Sequence, residues 1–362
     1  MRILITGACG VTPRAIARSL HVCRRFCDAT LIGTDRGGNW YGFYEGLYDR
    51  VYLVPDTRDP RYVEAIHDIC RKEAIDVAIV SPETEVLFWS AREFPVPTLL
   101  PPSAVVMVAI SKKNLYDALQ DSGLIPSYTI VSRVDLLARH GLDLSQGPAW
   151  LRDFSDASSS GLGSILVHDQ EQAYAWAYLN PGIAEYMVAE YLPGRNFGCC
   201  LLFHDDKLLK VGCFERVDYF MGHLVVSGIT GNTSRGRLVN DPRLRTMAEQ
   251  AVRTISRQRD VAAHGLFTVD LKEAVDGSPK VTEINIRHTA PASSLTAGGA
   301  NLVEAQVLAS LGRLDEIGDV IAEFPGDNVF LRDIDGLPLL LTNDRKLEVG
   351  DFIERTSKSS AA

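Results

Sequence analysis

A chain of 362 residues and 39.8 kDa is more than one hydrophobic core usually serves, so two or three compact units are expected. A net charge of −9 and a pI near 5.4 argue against a general nucleic-acid binder, and no apolar run reaches the length of a membrane span. The 46% hydrophobic and 23% charged shares are those of a soluble globular protein.

The first hundred residues alternate strand and helix. MRILITGACG is too quickly glycine-rich for a secretory signal and reads as a first strand. VTPRAIARSLHVC (11–23) follows as a helix, and ATLIGTD (29–35) as a second strand ending in Asp35. RVYLVP (50–55), PRYVEAIHDICRKEAI (60–75) and DVAIVSP (76–82) continue as strand, helix and strand. This order predicts a parallel sheet with helices on both faces over a first unit, 1–110. The turn TGACGVTP (6–13) resembles a dinucleotide fingerprint but lacks the GxGxxG spacing, so a tight turn in a scaffold domain competes equally.

The texture changes at Ser111. SKKNLYDALQDSG (111–123) predicts a helix capped by Ser111 and stopped by Gly123. A small α/β lobe follows to residue 195: strand AWLRDF (149–154), loop SDASSSGLGS (155–164), strand ILVHD (165–169), helix QEQAYAWAYLN (170–180) and strand YMVAEYL (186–192). Residues 196–315 hold long strands, the helix DPRLRTMAEQAVRTISRQ (241–258), a hairpin and the helix NLVEAQVLASLG (301–312). In the last unit, 316–362, NVFLRDIDGLPLLLTND (328–344) reads as a hairpin and ERTSKSSAA (354–362) as disordered. The cysteines number seven, with no zinc-like CxxC pair, and read as reduced thiols of a cytoplasmic protein.

Chemistry concentrates in GLFTVDLKEAVDGSPKVTEINIRHTAP (265–291). Period-2 alternation puts Glu283, Asn285 and Arg287 on one face, and the DGSP turn predicts antiparallel pairing that brings Asp270 near Glu283. Two carboxylates and an amide oxygen facing a pocket suit a hard cation such as Mg²⁺ or Mn²⁺. The alternative is a solvated face of an edge strand. Backbone N–H groups in the loop around Ser160, Gly161 and Gly163 can wrap phosphate oxygens, with Arg152 just upstream, although such loops are usually only flexible. EYLPG (190–194) ends a strand with Glu190 and Leu192 at an edge that suits an adenine ring; alone, Glu190 reads as a surface acid.

The order of these parts resembles the ATP-grasp superfamily, closest to the carbamoyl-phosphate synthetase large subunit and related carboxylate–amine ligases, over roughly residues 1–312. The resemblance implies an N-terminal Rossmann-like parallel-sheet domain followed by a two-lobed ATP-grasp fold. It also implies ATP and Mg²⁺ as cofactors, with metal ligands Asp270, Glu283 and Asn285. Arg287 becomes the phosphate-side catalytic arginine, and Lys112 and Arg152 phosphate cations. Ser160, Gly161 and Gly163 take the place of the glycine loop, and Glu190 and Leu192 that of the adenine contacts. Asn196 stands where a ribose-binding glutamate is usual, and His223 in MGHLVVSG matches a phosphate-side residue. The second arginine that carbamoyl-phosphate synthetases place after this motif is missing, which argues against carbamoyl phosphate synthesis.

The expectation is therefore a ligase that joins a small-molecule carboxylate to an amine through an acyl phosphate, releasing ADP and phosphate. No nucleic-acid or membrane partner is expected, and a homo-oligomer is left open. The competing readings are a nucleotide-binding oxidoreductase using Asp35 and a non-catalytic ATP-binding sensor. RHTAPASSLTAGGANL (287–302) reads either as an ordinary strand-to-helix loop or as the lining of a carboxylate pocket, with Arg287 holding the acid.

Overall fold

The computed structural model describes residues 1–37, 40–43, 45–145, 147–154, 164–225, 228, 230–326, 328–333 and 348–354. The N-terminal unit forms as the alternation predicts: β1 (Arg2–Thr6), α1 (Val11–His21), β2 (Thr30–Asp35), β3 (Arg50–Leu53), α2 (Tyr62–Lys72), β4 (Val77–Ile79), α3 (Glu83–Ser90) and α4 (Ser103–Ala109). Its strands pair in parallel in the order β3-β2-β1-β4. The central strands are near-continuous apolar runs buried on both faces, as a helix-covered parallel sheet requires. The chain steps from β1 through β2 to β3, then crosses back to place β4 on the other side of β1. That reversal opens a crevice at the carboxyl ends of β1 and β4.

Next come α5 (Lys112–Leu119), β5 (Tyr128–Ser132), α6 (Arg133–Leu137), β6 (Ala149–Asp153), β7 (Ile165–Val167), α7 (Gln170–Leu179) and β8 (Glu185–Glu190). Ser111 caps α5 as expected, its hydroxyl accepting the Asn114 N–H. The four strands form an antiparallel sheet in the order β5-β8-β6-β7, which is the small lobe.

The large lobe contains β9 (Asn196–His204), β10 (Lys207–Tyr219), β11 (Thr233–Val239), α8 (Pro242–Gln258), β12 (Gly265–Glu273), β13 (Pro279–Asn285), α9 (Ala292–Ala297) and α10 (Leu302–Ser310). Its antiparallel sheet runs β13-β12-β9-β10-β11. Helix α8 opens at Asp241, whose side chain accepts from Arg243 N–H, and buries Leu244, Ala248, Ala251, Val252 and Ile255 against the sheet.

The expected hairpin of the tail lies mostly in 334–347, outside the described residues. The described parts join two different sheets. β14 (Phe330–Leu331) pairs with β11, and β15 (Phe352–Glu354) adds antiparallel to β3. All seven cysteines are free thiols.

Candidate active site

The hairpin forms in the register that its alternation implies. Asp276 accepts the Ser278 N–H at 2.9 Å and its hydroxyl at 2.6 Å, and Gly277 takes φ +78°, which closes the turn. Asp270 then lies directly across from Glu283, and Thr268 across from Asn285. Directly paired residues project from the same face, so both carboxylates and the Asn285 amide share one side of the sheet. On the other flank Asp270 pairs with Gly198, where a Cβ would come within 2.3 Å of the Phe214 ring. Only glycine leaves that ring its place beside the acid.

Asp270 is held by Arg216 of β10. Nη2 donates to Asp270 Oδ1 at 2.7 Å, while Nη1 donates to the Phe197 carbonyl at 3.0 Å. The β10–β11 register shifts between Arg216 and Asp218, a bulge of the kind that re-aims a side chain beside a site. Asn285 Nδ2 lies 3.5 Å from Asp270 Oδ2, and turning the amide over presents its oxygen instead. Burial raises the Asp270 carboxyl pKa, Arg216 opposes that shift and Glu283 adds to it. Two acids facing each other on one side of a sheet, with an amide oxygen beside them, fit a hard divalent cation.

Cations gather around this pair. Lys112 is 4% exposed, and burial together with Arg152 lowers its pKa to about 8, against the pull of Glu283 and Glu83. Arg152 on β6 also hydrogen-bonds the buried Tyr116, one turn along α5 from Lys112. Arg287 donates through Nη2 to Glu83 Oε1 at 3.2 Å and through Nη1 to the His288 carbonyl at 3.1 Å. Lys112, Arg152, Asp270, Glu283, Asn285 and Arg287 thus form one constellation, drawn from α5, the small-lobe sheet and the large-lobe hairpin, with Glu83 of the N-terminal unit against Arg287.

A cleft of about 590 Å³ opens between the lobes. Trp150 and Leu166 of the small lobe face Arg216, Tyr219 and Lys272 of the large lobe, with Pro193–Asn196 between them. Asn196 is therefore at the cleft, but its amide is engaged: Nδ2 donates to the Tyr219 hydroxyl at 2.6 Å and Oδ1 lies 3.4 Å from Arg216 Nη1. Glu190 lies apart from the constellation, accepting from the Ser127 N–H and hydroxyl at 3.4 and 3.2 Å. Leu192 is buried. His223 is exposed in the connection after β10. Ser160, Gly161 and Gly163 fall outside the described residues.

Three findings lay beyond the sequence reading. Arg216 was missed, although three charges, Glu215, Arg216 and Asp218, in the otherwise apolar VGCFERVDY were a signal. Glu83 was missed too; it opens α3 just after β4, at the crevice where the strand order reverses. Residues 292–297 form a helix rather than a loop, because Ala292, Ser294 and Leu295 bury one face in the core. Thr296 donates to Ser19 of α1 at 3.0 Å, so these hydroxyls serve packing as much as any pocket.

In the N-terminal turn, Asp35 accepts the Cys9 N–H at 3.0 Å and the Gly37 N–H at 2.8 Å. Gly7 takes φ +68° with Pro82 so close that a Cβ would sit 2.5 Å from its ring. Both residues serve to hold the turn.

No protein-family model matches the sequence, and no curated protein matches it either. Solved structures do match its architecture. Phosphoribosylamine–glycine ligase from Thermotoga maritima superposes with a TM-score of 0.64 at 15% identity, over 90% of this chain and 78% of that one. L-amino acid ligase from Bacillus licheniformis gives 0.61 at 13% identity, over 88% and 77%. N5-carboxyaminoimidazole synthase from Aspergillus clavatus, solved with ADP and 5-aminoimidazole ribonucleotide, gives 0.60 at 15% identity, over 89% and 79%. At such identities the likeness is one of architecture, and that architecture, a Rossmann-like sheet followed by two lobes facing across a cleft, is the ATP-grasp fold.

Proposed function

We propose that the protein is an ATP- and Mg²⁺-dependent ligase that joins a small-molecule carboxylate to an amine. The observation that carries this reading is the in-register pair Asp270 and Glu283, ringed by Arg216, Arg287, Lys112 and Arg152 at the edge of an interlobe cleft. ADP and a small amine-bearing substrate in one neighbour's complex support the same reading. Asp270, Glu283 and Asn285 would hold Mg²⁺, or Mn²⁺ in its place, which when bound neutralises the phosphate oxygens of ATP.

The rest falls to the chain's own side chains. Lys112, Arg152 and Arg287 supply positive charge where the γ-phosphoryl group moves from ATP to a substrate carboxylate oxygen, with ADP as the leaving group. The amine then attacks the acyl carbon, an amide bond forms, and phosphate leaves. Glu83 beside Arg287 is placed to accept the ammonium proton or to anchor the amine, while Arg287 exchanges Glu83 for the substrate carboxylate. No helix among the described residues is long and apolar enough to cross a membrane. The test is ADP release from ATP across pools of carboxylates and amines, with mass spectrometry of the product. ADP release that requires both pools together is the expected result; none with any pool would sink the reading.

The lowered pKa of Lys112 gives a second prediction. It loses its charge as pH rises through about 8, so ADP affinity should fall between pH 7.5 and about 9.5. Phosphate favours the cation, so binding in that range should take up a proton, read by calorimetry in buffers of differing ionisation enthalpy. Lys112→Arg should remove both effects, because guanidinium stays charged. The same shift costs the ligand-free protein stability, fully so below pH 8, and the cost fades as pH rises towards the ordinary lysine range. Lys112→Met should accordingly raise the ligand-free Tm at pH 7 while weakening ADP binding. A pH-independent ADP affinity in the wild type would refute the assignment of Lys112 to phosphate.

A further inference from the structure

At the end of β9 remote from Asn196, His204-Asp205-Asp206 turns the chain into β10. Asp205 and Asp206 both adopt left-handed backbone, at φ +46° and +64°, where Asn-Gly is the usual solution. Asp206 has an internal reason to be there. Its Oδ1 accepts the Ala263 N–H at 2.8 Å and faces Arg253 at 3.8 Å, while its own N–H donates to the Ala263 carbonyl at 2.8 Å. Asp205 has a different one. Its exposed carboxylate lies between two imidazoles, with Oδ1 2.9 Å from His264 Nδ1 and Oδ2 3.4 Å from His204 Nδ1.

The three residues each bring one donor atom within 4.8 Å of the others, and the two rings are 5.0 Å apart. His264 Nδ1 lies 3.3 Å from the Asp205 N–H and 2.9 Å from Asp205 Oδ1; the carboxylate contact favours a proton on that nitrogen, which an ion bound there displaces. Two imidazoles and one carboxylate are a donor set for Zn²⁺, Ni²⁺ or Cu²⁺; Mg²⁺ prefers oxygen alone. Tetrahedral Zn²⁺ sets its ligand atoms roughly 3.3 Å apart. Side-chain rotations can close that gap, because the backbone on both sides is already pinned through Asp206 and the buried Ala263.

We propose that His204, Asp205 and His264 bind a divalent transition ion, best matched by Zn²⁺, at a site separate from the paired carboxylates. β9 spans 9 residues, which puts the cluster about 26 Å from Asn196. His204 ends β9 and His264 precedes β12, so the ion ties together two neighbouring strands of the large lobe and the turn into β10. Its role is to brace that lobe, with water filling the open coordination position.

The test uses the full chain, stripped with EDTA and titrated with ZnSO₄ in excess MgCl₂. One equivalent of Zn²⁺ is expected to bind, Tm to rise by several degrees, and Co²⁺ to give a visible d–d absorption band. Asp205→Asn preserves the turn, since asparagine tolerates left-handed backbone, and should weaken Zn²⁺ binding by at least tenfold; His264→Gln should do the same. Asp270→Asn should leave Zn²⁺ affinity unchanged. The proposal is overturned by no Zn²⁺ binding in the wild type, by undiminished binding in the Asp205→Asn and His264→Gln variants, or by loss of binding in Asp270→Asn.

Discussion

Glu283→Gln is expected to lower Mg²⁺-dependent ADP formation by roughly 10²–10³-fold while leaving the fold intact. Glu283 faces Asp270 in register on the same side of the sheet, and in the proposed function the two carboxylates would supply the anionic charge that holds a divalent ion against ATP. Glutamine keeps the shape and one oxygen but removes the charge. The same change relieves Asp270, whose carboxyl is pushed up by burial and by Glu283. The ligand-free Tm should therefore hold or rise. The substrate pair found by ADP-release screening gives the rate. Calorimetry of ADP with and without Mg²⁺ gives an independent readout, since the variant should lose the Mg²⁺-dependent gain in affinity. A variant that keeps that gain would mean the ion binds elsewhere.

Arg216→Met is expected to cost about 3 kcal/mol of stability in the absence of Mg²⁺, because removing one partner of a buried ion pair strands the other. The Arg216 side chain is 9% exposed and its Asp270 partner 21%, so water replaces little of the lost contact. The sign with pH follows from the raised Asp270 pKa. The deficit should be largest at neutral pH, where Asp270 must be charged, and should shrink as falling pH protonates it in the folded state. Two rescues are expected. Asp270→Asn in the same background should restore most of the stability, and saturating Mg²⁺ should restore part of it by replacing the lost cation. Denaturant titrations of the single and double variants measure both, and equal stability of Arg216→Met and wild type would show that Arg216 does not hold the acid.

Local pattern made the hairpin legible in advance. Asp270, Glu283 and Asn285 are ordered by two short-range facts, the alternation of a strand and a tight DGSP turn, and these need no knowledge of the rest of the chain. The same holds for Ser111 capping α5 and for the parallel sheet of the N-terminal unit, where buried apolar strands alternate with helices of the opposite period. Arg216, by contrast, reads in sequence as one more charge near the end of a long strand. It reaches Asp270, 54 residues away, only because β9 lies between their strands with Gly198 beside the acid and a bulge re-aims the arginine.

Glu83 shows the same limit across a greater separation. Its pairing with Arg287 spans 204 residues, and nothing in PETE or EINIR taken alone implies it. The segment 292–297 failed in a different way. Six residues, half of them Ser or Thr, are too short a run to signal a helix alone, and the helix is decided by burial of Ala292, Ser294 and Leu295. Sequence by itself determined most of the elements before residue 290 and the pairing of Asp270 with Glu283, because those follow from period, turn chemistry and side-chain type within a few residues. Tertiary structure alone decided which cation meets which acid and that Asn196 spends its amide on Tyr219, because such contacts depend on how sheets far apart in the chain are stacked.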